Sequence, residues 1–191
     1  MAYSTIRTMQ RITLLGYAIL GLLHGKASSG YELRKVFAET PMGSFSDSPG
    51  AIYPALRRLE DLKLIVASPI AGPSQRRRRI LQLTREGIGA LKGWLRTRVE
   101  QEDVASRMNV LMLRFAFMED ALGESATLVF LREFERELDA YVAVLGEYVR
   151  GDLGSMATSA QLALRSGLLG YRAQAKWVAH AIKIYQGKVK R

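Results

Sequence analysis

Two groups of arginines carry most of the chemical information in this chain of 191 residues: a run of four from Arg76 to Arg79, and the pair Arg57-Arg58. A guanidinium is a planar fork of donors. It bonds a phosphate, or the edge of a guanine, through two parallel hydrogen bonds. Tyr31 and Tyr53 add hydroxyls that can bond phosphate oxygens. The charge around them is uneven. Residues 1–98 hold 16 Lys and Arg against 6 Asp and Glu, an excess of +10, whereas residues 99–191 hold 12 of each. A generally basic protein would spread its charge along the chain. A basic half joined to a neutral half points to an anionic polymer as partner for the first half, and another task for the second.

Other chemistry finds little support. The chain has no cysteine, which excludes disulfides, thiol catalysis and cysteine zinc sites. Its two histidines, His24 and His180, have no metal-ligand spacing to each other. No phosphate-binding glycine loop or nucleophile elbow occurs. Glu133, Glu135, Glu137 and Asp139 alternate along the chain. On a helix such spacing scatters them around the axis, as on a solvated face. We therefore expect no enzyme, no metal and no cofactor. The longest apolar run, Ile12 to Leu23, is too short to span a membrane, which takes about 20 residues. It continues into His24-Gly25-Lys26 rather than a small-residue cleavage site, so it reads as a core helix. The expected setting is the cytoplasm, with no membrane partner.

These arginines need elements to hold them. Residues 1–11 read as a loose arm. Thr13 to Leu23 reads as a first helix, closed by Gly25 as a left-handed cap. Ser28-Ser29-Gly30 offers an N-cap to a second helix, Tyr31 to Glu39, with Leu33, Val36 and Phe37 at helical spacing. Pro41 to Asp47 is loop. Ser48-Pro49 is a helix start, and the third helix buries Ile52, Leu56, Leu59 and Leu62. Gly50, Pro54, Arg57 and Asp61 fall on its opposite face, with Arg58 beside them. Pro54 would cost about 3 kcal/mol in a helix interior, so a short or bent start is expected. Leu64–Ala67 and Ile80–Leu83 read as strands around a loop, which makes a hairpin with a basic tip. Thr84 caps a further helix through Leu91, Trp94, Leu95 and Val99. Helix, helix, helix, strand, basic turn, strand, helix is the order of a winged helix-turn-helix. That fold lays its third helix in the DNA major groove.

Residues 100–106 are polar and acidic, so the domains are expected at 1–100 and 101–191. Two helical seams follow. Leu131, Phe134, Leu138, Tyr141, Leu145 and Tyr148 form the first, and Leu164, Leu168, Tyr171, Ala175, Val178, Ile182 and Tyr185 the second. Both alternate steps of three and four, the signature of helix packed on helix. Gly151 to Ser155 separates them. The expected fold is mainly α: an N-terminal winged helix-turn-helix of three helices and a two-stranded wing, then a C-terminal antiparallel helical dimerisation domain.

The motifs add a resemblance. Residues 14–34, LLGYAILGLLHGKASSGYELR, resemble the first two helices of PadR-type transcriptional regulators. Residues 48–65, SPGAIYPALRRLEDLKLI, resemble that family's recognition helix, Tyr53-Pro54 included. Residues 76–91, RRRRILQLTREGIGAL, resemble its wing and the next helix. The segment LALRSGLLGYRAQAKWVAHAI is similar to the last helix of the long subclass. One departure lies in the wing, where the family usually has one or two basic residues and then an aromatic. Here Arg79 is followed by Ile80. The resemblance implies a homodimer on an inverted-repeat, pseudo-palindromic operator in double-stranded DNA, usually as a repressor. In some relatives a small aromatic or hydrophobic effector releases the DNA.

The expected DNA-binding set is Ser29, Tyr31, Ser48, Ala51, Tyr53, Arg57, Arg58, Arg76, Arg77, Arg78 and Arg79. The expected dimerisation set is Leu131, Phe134, Leu138, Tyr141, Leu145, Leu164, Leu168, Tyr171, Trp177, Val178 and Ile182. Trp94 and Trp177 are candidate walls for an effector. The competing reading is a basic RNA-binding or architectural protein, which would use surface aromatics to stack bases.

Overall fold

The computed structural model describes residues 12–46, 48–69, 79–151 and 153–189. Arg76, Arg77 and Arg78, and the expected arm 1–11, lie outside them. Among the described residues there are eight α-helices, two 3₁₀ turns and one small sheet, and the chain divides into two compact units at Arg96/Thr97.

The first unit opens with α1, Leu14–Gly25, whose first turn is capped by the Thr13 hydroxyl accepting from the Gly16 N–H at 3.1 Å. Tyr17, Ala18, Ile19, Leu20 and Leu23 are buried. Its end corrects the expected left-handed Gly25. Gly25 stays helical, and Lys26 leaves in extended conformation at φ −157°, because the chain runs almost directly into a strand. That strand, β1 (Ser28–Ser29), leads into α2, Gly30–Glu39. A capping box starts α2. The Ser29 N–H donates to Glu32 Oε2 at 2.7 Å, and the Glu32 N–H donates to Ser29 Oγ at 3.2 Å. Two otherwise unpaired donors are thereby satisfied.

After a 3₁₀ turn at Pro41–Phe45, a second one at Pro49–Ala51 winds into α3, Ile52–Asp61. Ser48 precedes this turn, and its side chain makes no cap hydrogen bond. Instead the Ser48 carbonyl accepts from the Ala51 N–H at 3.0 Å, closing the tight turn. This is how Pro54 is accommodated, because the α-helix proper begins only at Ile52 and Pro54 falls in its first turn, where amide donors have no intrahelical partner. Ile52, Leu56 and Leu59 are buried beneath α3. The helix ends in a Schellman motif: the Lys63 N–H bonds the Glu60 carbonyl at 2.8 Å, and the Leu64 N–H bonds the Leu59 carbonyl at 2.9 Å. Lys63 takes the left-handed position, φ 58°, that glycine usually fills.

Strands β2 (Ile65–Pro69) and β3 (Arg79–Leu83) pair antiparallel, with Ile65 opposite Leu83 and Pro69 opposite Arg79. The two-stranded wing of the sequence reading gains a third member. β1 pairs with the other edge of β3, Ser29 opposite Ile80, giving the order β1-β3-β2. Helix α4, Arg85–Leu95, is capped by the Thr84 hydroxyl, which accepts from the Gly87 N–H at 3.0 Å. Its first turn lies against backbone, and a Cβ on Gly87 would come within 2.0 Å of the Leu64 carbonyl oxygen. Leu91 and Leu95 are buried, and Trp94 stacks flat on Tyr17 with centroids 4.4 Å apart.

The second unit is all helix: α5 (Gln101–Ser106), α6 (Met108–Leu122), α7 (Glu124–Arg150) and α8 (Thr158–Val189). Gly123, at φ 84°, makes the turn between α6 and α7. The two long helices form an antiparallel hairpin. Tyr141 meets Tyr171 near their middles, centroids 4.8 Å apart, and Lys188 at the end of α8 lies 3.7 Å from Glu124 at the start of α7. Arg114 on α6 is buried. Its guanidinium donates to the Thr97 carbonyl and sits 4.9 Å from the centre of the Phe130 ring. Burial lowers its pKa to about 10, and the charges of Asp103 and Glu133 oppose that shift. No described helix is long and apolar enough to cross a membrane.

Candidate nucleic-acid interface

The apolar stripe of α3 dictates what its other face presents. With Ile52, Leu56 and Leu59 turned inward, Tyr53, Arg57 and Arg58 are turned out. Tyr53 is 48% exposed and Tyr31, in the first turn of α2, is 62% exposed. These are large values for tyrosine, and they place both rings on the surface rather than at a helix junction. Arg34 joins them, its guanidinium 5.5 Å from the centre of the Tyr31 ring.

The remaining expected residues take varied positions. Ser29 is half-buried and committed to the capping box, where its hydroxyl also donates to Glu32 Oε2 at 2.7 Å. Ser48 is exposed just ahead of α3, and Ala51 is half-buried. Arg79 begins β3, and its side chain is 68% exposed. It is not free. Its Nη2 donates to Glu60 Oε1 at 2.7 Å, across from the outer edge of α3. A crease of about 200 Å³ runs between α3 and the base of the wing, with Tyr53, Arg57, Glu60 and Arg79 among its walls. The start of α2 closes one end, where a Cβ on Gly30 would stand 3.2 Å from the Tyr53 ring.

Three residues here escaped the sequence reading. Glu60 carries nothing in its local sequence that sets it apart from Asp61 beside it. Gly30 looked like part of a cap, yet the near approach of Tyr53 limits what can replace it. Arg34 carried no signal beyond its charge.

The second unit shows where the seams point. Leu131, Phe134 and Leu138 have no exposed surface in the single chain, and Leu168, Val178 and Ile182 are buried. Tyr141, Leu145, Leu164, Tyr171 and Trp177 are half-buried. For the buried members the seam periodicity thus reports packing within one chain, and residues with no exposed surface have none to offer a partner. Large apolar side chains that remain exposed on the same two helices are Val129, Val144, Tyr148, Leu162, Leu169, Ile184 and Val189.

Of the two tryptophans, Trp94 is buried in the first unit, with one ring face spent on Tyr17. It is core rather than the wall of an open pocket. Trp177 meets Phe115 edge to face, centroids 5.2 Å apart, and Phe115 in turn meets Tyr185 at 6.2 Å. The Tyr185 hydroxyl donates to Glu119, which also accepts from Lys188 Nζ at 2.8 Å. Lys188 first, then Tyr185, holds the Glu119 carboxyl below its ordinary range. Among the described residues no cluster of His, Cys, Asp and Glu is placed to hold a metal ion.

Comparison with known proteins adds a family assignment for part of the chain. Residues 19–93 match the model of the transcriptional regulator PadR-like family. No curated protein matches. Among solved structures, Bacillus subtilis PadR in complex with operator DNA is 23% identical, with 90% of this chain and 98% of that one covered and a TM-score of 0.40. The same protein in complex with p-coumaric acid gives 23% identity, coverage of 91% and 96%, and a TM-score of 0.39. The PadR-like regulator BC1756 from Bacillus cereus gives 22%, coverage of 89% and 94%, and 0.40.

Proposed function

We propose, from the match of residues 19–93 to the transcriptional regulator PadR-like family, that this chain is a sequence-specific regulator that reads duplex DNA with the outer face of α3. The observation that carries the reading is the exposed row Tyr53, Arg57 and Arg58 on α3, beside a wing whose second strand begins at Arg79. α3 lies in the major groove and its arginines meet base edges and phosphates. The wing, with Arg76, Arg77 and Arg78, follows the flanking backbone. Ser29, Tyr31, Ser48 and Ala51 lie around the ends of α2 and α3, within reach of the same strands.

In this proposal the protein acts in the cytoplasm as a homodimer on an inverted repeat, in the manner of a repressor, and a small aromatic or hydrophobic effector releases it. The second unit supplies the dimer contact. Because Leu131, Phe134 and Leu138 are already covered within one chain, the partner meets the exposed residues of the long helices, Val144, Leu162 and Leu169 among them. Trp177, half-buried beside Phe115, is the aromatic wall offered to an effector.

The test is selection of bound fragments from genomic DNA, repeated with candidate aromatic acids. Enrichment of a palindromic sequence supports the reading, and sequence-blind binding removes it. One observation favours a second reading. The exposed Tyr31 and Tyr53 rings could stack on unpaired bases, as RNA-binding surfaces do. Competition between duplex DNA and single-stranded RNA separates the two.

A further inference from the structure

We propose that Glu60 is an intramolecular stand-in for a DNA phosphate: it occupies Arg79 in the free protein and so tempers the affinity of this face for DNA. The inference rests on the DNA-binding reading and deepens it. Three observations carry it. The contact of Arg79 Nη2 with Glu60 Oε1, at 2.7 Å, has the length of a charge-assisted hydrogen bond. The exposure of the pair is lopsided, 68% for the arginine side chain against 26% for the glutamate. The acid thus sits in the crease while the guanidinium stays within reach of an incoming strand. The crease, about 200 Å³, is walled by Tyr53 and Arg57 as well. It therefore gathers one anion, two cations and a phenol along one crease, and the cations and the phenol are the company a phosphate oxygen would keep.

An exposed ion pair is weak, so a phosphate can exchange with the carboxylate. The exchange still leaves a carboxylate beside the DNA backbone. That repulsion falls on the phosphate contacts, which carry sequence-independent binding, and leaves base-edge contacts of α3 largely untouched. Glu60 thereby raises the ratio of specific to non-specific binding.

The test uses the full chain and a mixed-sequence DNA duplex of several helical turns, with affinity followed by fluorescence anisotropy over a salt series. Glu60→Gln is expected to tighten binding several-fold at low salt. It should also steepen the slope of log affinity against log salt by about 0.9 for each Arg79 that gains a phosphate. Arg79→Ala alone should not tighten binding, and in the Glu60→Gln background it should erase the gain. A Glu60→Gln chain that melts as the parent does but binds with an unchanged slope, or more weakly, overturns the inference. So does a gain that survives Arg79→Ala, since the effect would then not pass through that pair. A parent chain that fails to bind the duplex at any salt overturns the DNA-binding reading and the inference with it. A parent that binds normally while the double-variant logic fails overturns the inference alone.

Discussion

Arg57 and Arg58 are adjacent in the chain, so on a helix they diverge by about 100° and cannot both serve the same contact. Both are exposed on α3. Replacing both by Ala is expected to weaken DNA binding by about 1–3 kcal/mol for each base edge no longer read. It should also flatten the salt slope by about 0.9 for each phosphate no longer neutralised. Size-exclusion chromatography should show an unchanged oligomeric state, because neither side chain lies in the second unit. Tyr17 poses the opposite case. Its hydroxyl is buried with no hydrogen-bond partner among the described residues, and burial pushes its pKa up to about 12. An unsatisfied buried hydroxyl costs about 1–3 kcal/mol. Tyr17→Phe keeps the ring stacked on Trp94 and removes that cost. The variant should therefore melt at the parent's temperature or above it. A melting point several degrees lower would mean that the hydroxyl has a partner after all.

Among the elements, the tightest fit is where α4 meets the end of α3. The Gly87 backbone lies so near the Leu64 carbonyl that a methyl group would overlap it. Gly87→Ala should cost about 1–3 kcal/mol through overpacking, read as a lowered denaturation midpoint. Lys63 offers a milder test in the same turn. At φ 58° a β-branched side chain is strained, so Lys63→Ile should cost about 1–2 kcal/mol while Lys63→Gly is tolerated. These elements also show what was legible in the sequence. The N-cap at Ser29, the Thr84 cap and the buried Ile52, Leu56 and Leu59 of α3 depend on neighbours three or four residues away, and these were readable, although Leu62, expected in the same stripe, is only half-buried. So was the outward face of Arg57 and Arg58, because it follows from the same stripe. The third strand was not readable. Ser28–Ser29 is two residues long, poor in strand formers, and pairs with Leu81 and Ile80 far along the chain. The Glu60–Arg79 pair spans 19 residues and depends on how the hairpin returns to α3. The left-handed Lys63 was hidden because nothing in a lysine announces that conformation. The seam residues were found, yet periodicity alone could not say whether their partner was the same chain or another.

For the whole molecule, the division at Arg96/Thr97 places the basic excess almost entirely in one unit. A basic unit alone should still attract DNA, since the phosphate term needs no dimer. A fragment ending near residue 96 is expected to bind duplex DNA weakly, as a monomer, with a salt slope about half that of the 191-residue chain in its proposed dimeric form. Analytical ultracentrifugation and anisotropy test the two halves of that statement. A fragment that dimerises as firmly as the full chain would move the self-association out of the long helices. Arg114 gives the second unit its own probe. Its buried guanidinium holds the Thr97 carbonyl, so Arg114→Ala should cost about 2–3 kcal/mol, the worth of a hydrogen bond from a charged donor.

The two tryptophans fall one to each unit, Trp94 flat against Tyr17 and Trp177 edge-on to Phe115. The protein therefore carries its own pair of fluorescent reporters. In a Trp177→Phe chain the emission comes from the first unit alone, and in a Trp94→Phe chain from the second unit alone. Followed through denaturant, the two signals show whether the halves lose structure in one step or two. Followed during titration with an aromatic acid, quenching of Trp177 without change at Trp94 would assign the proposed effector to the second unit.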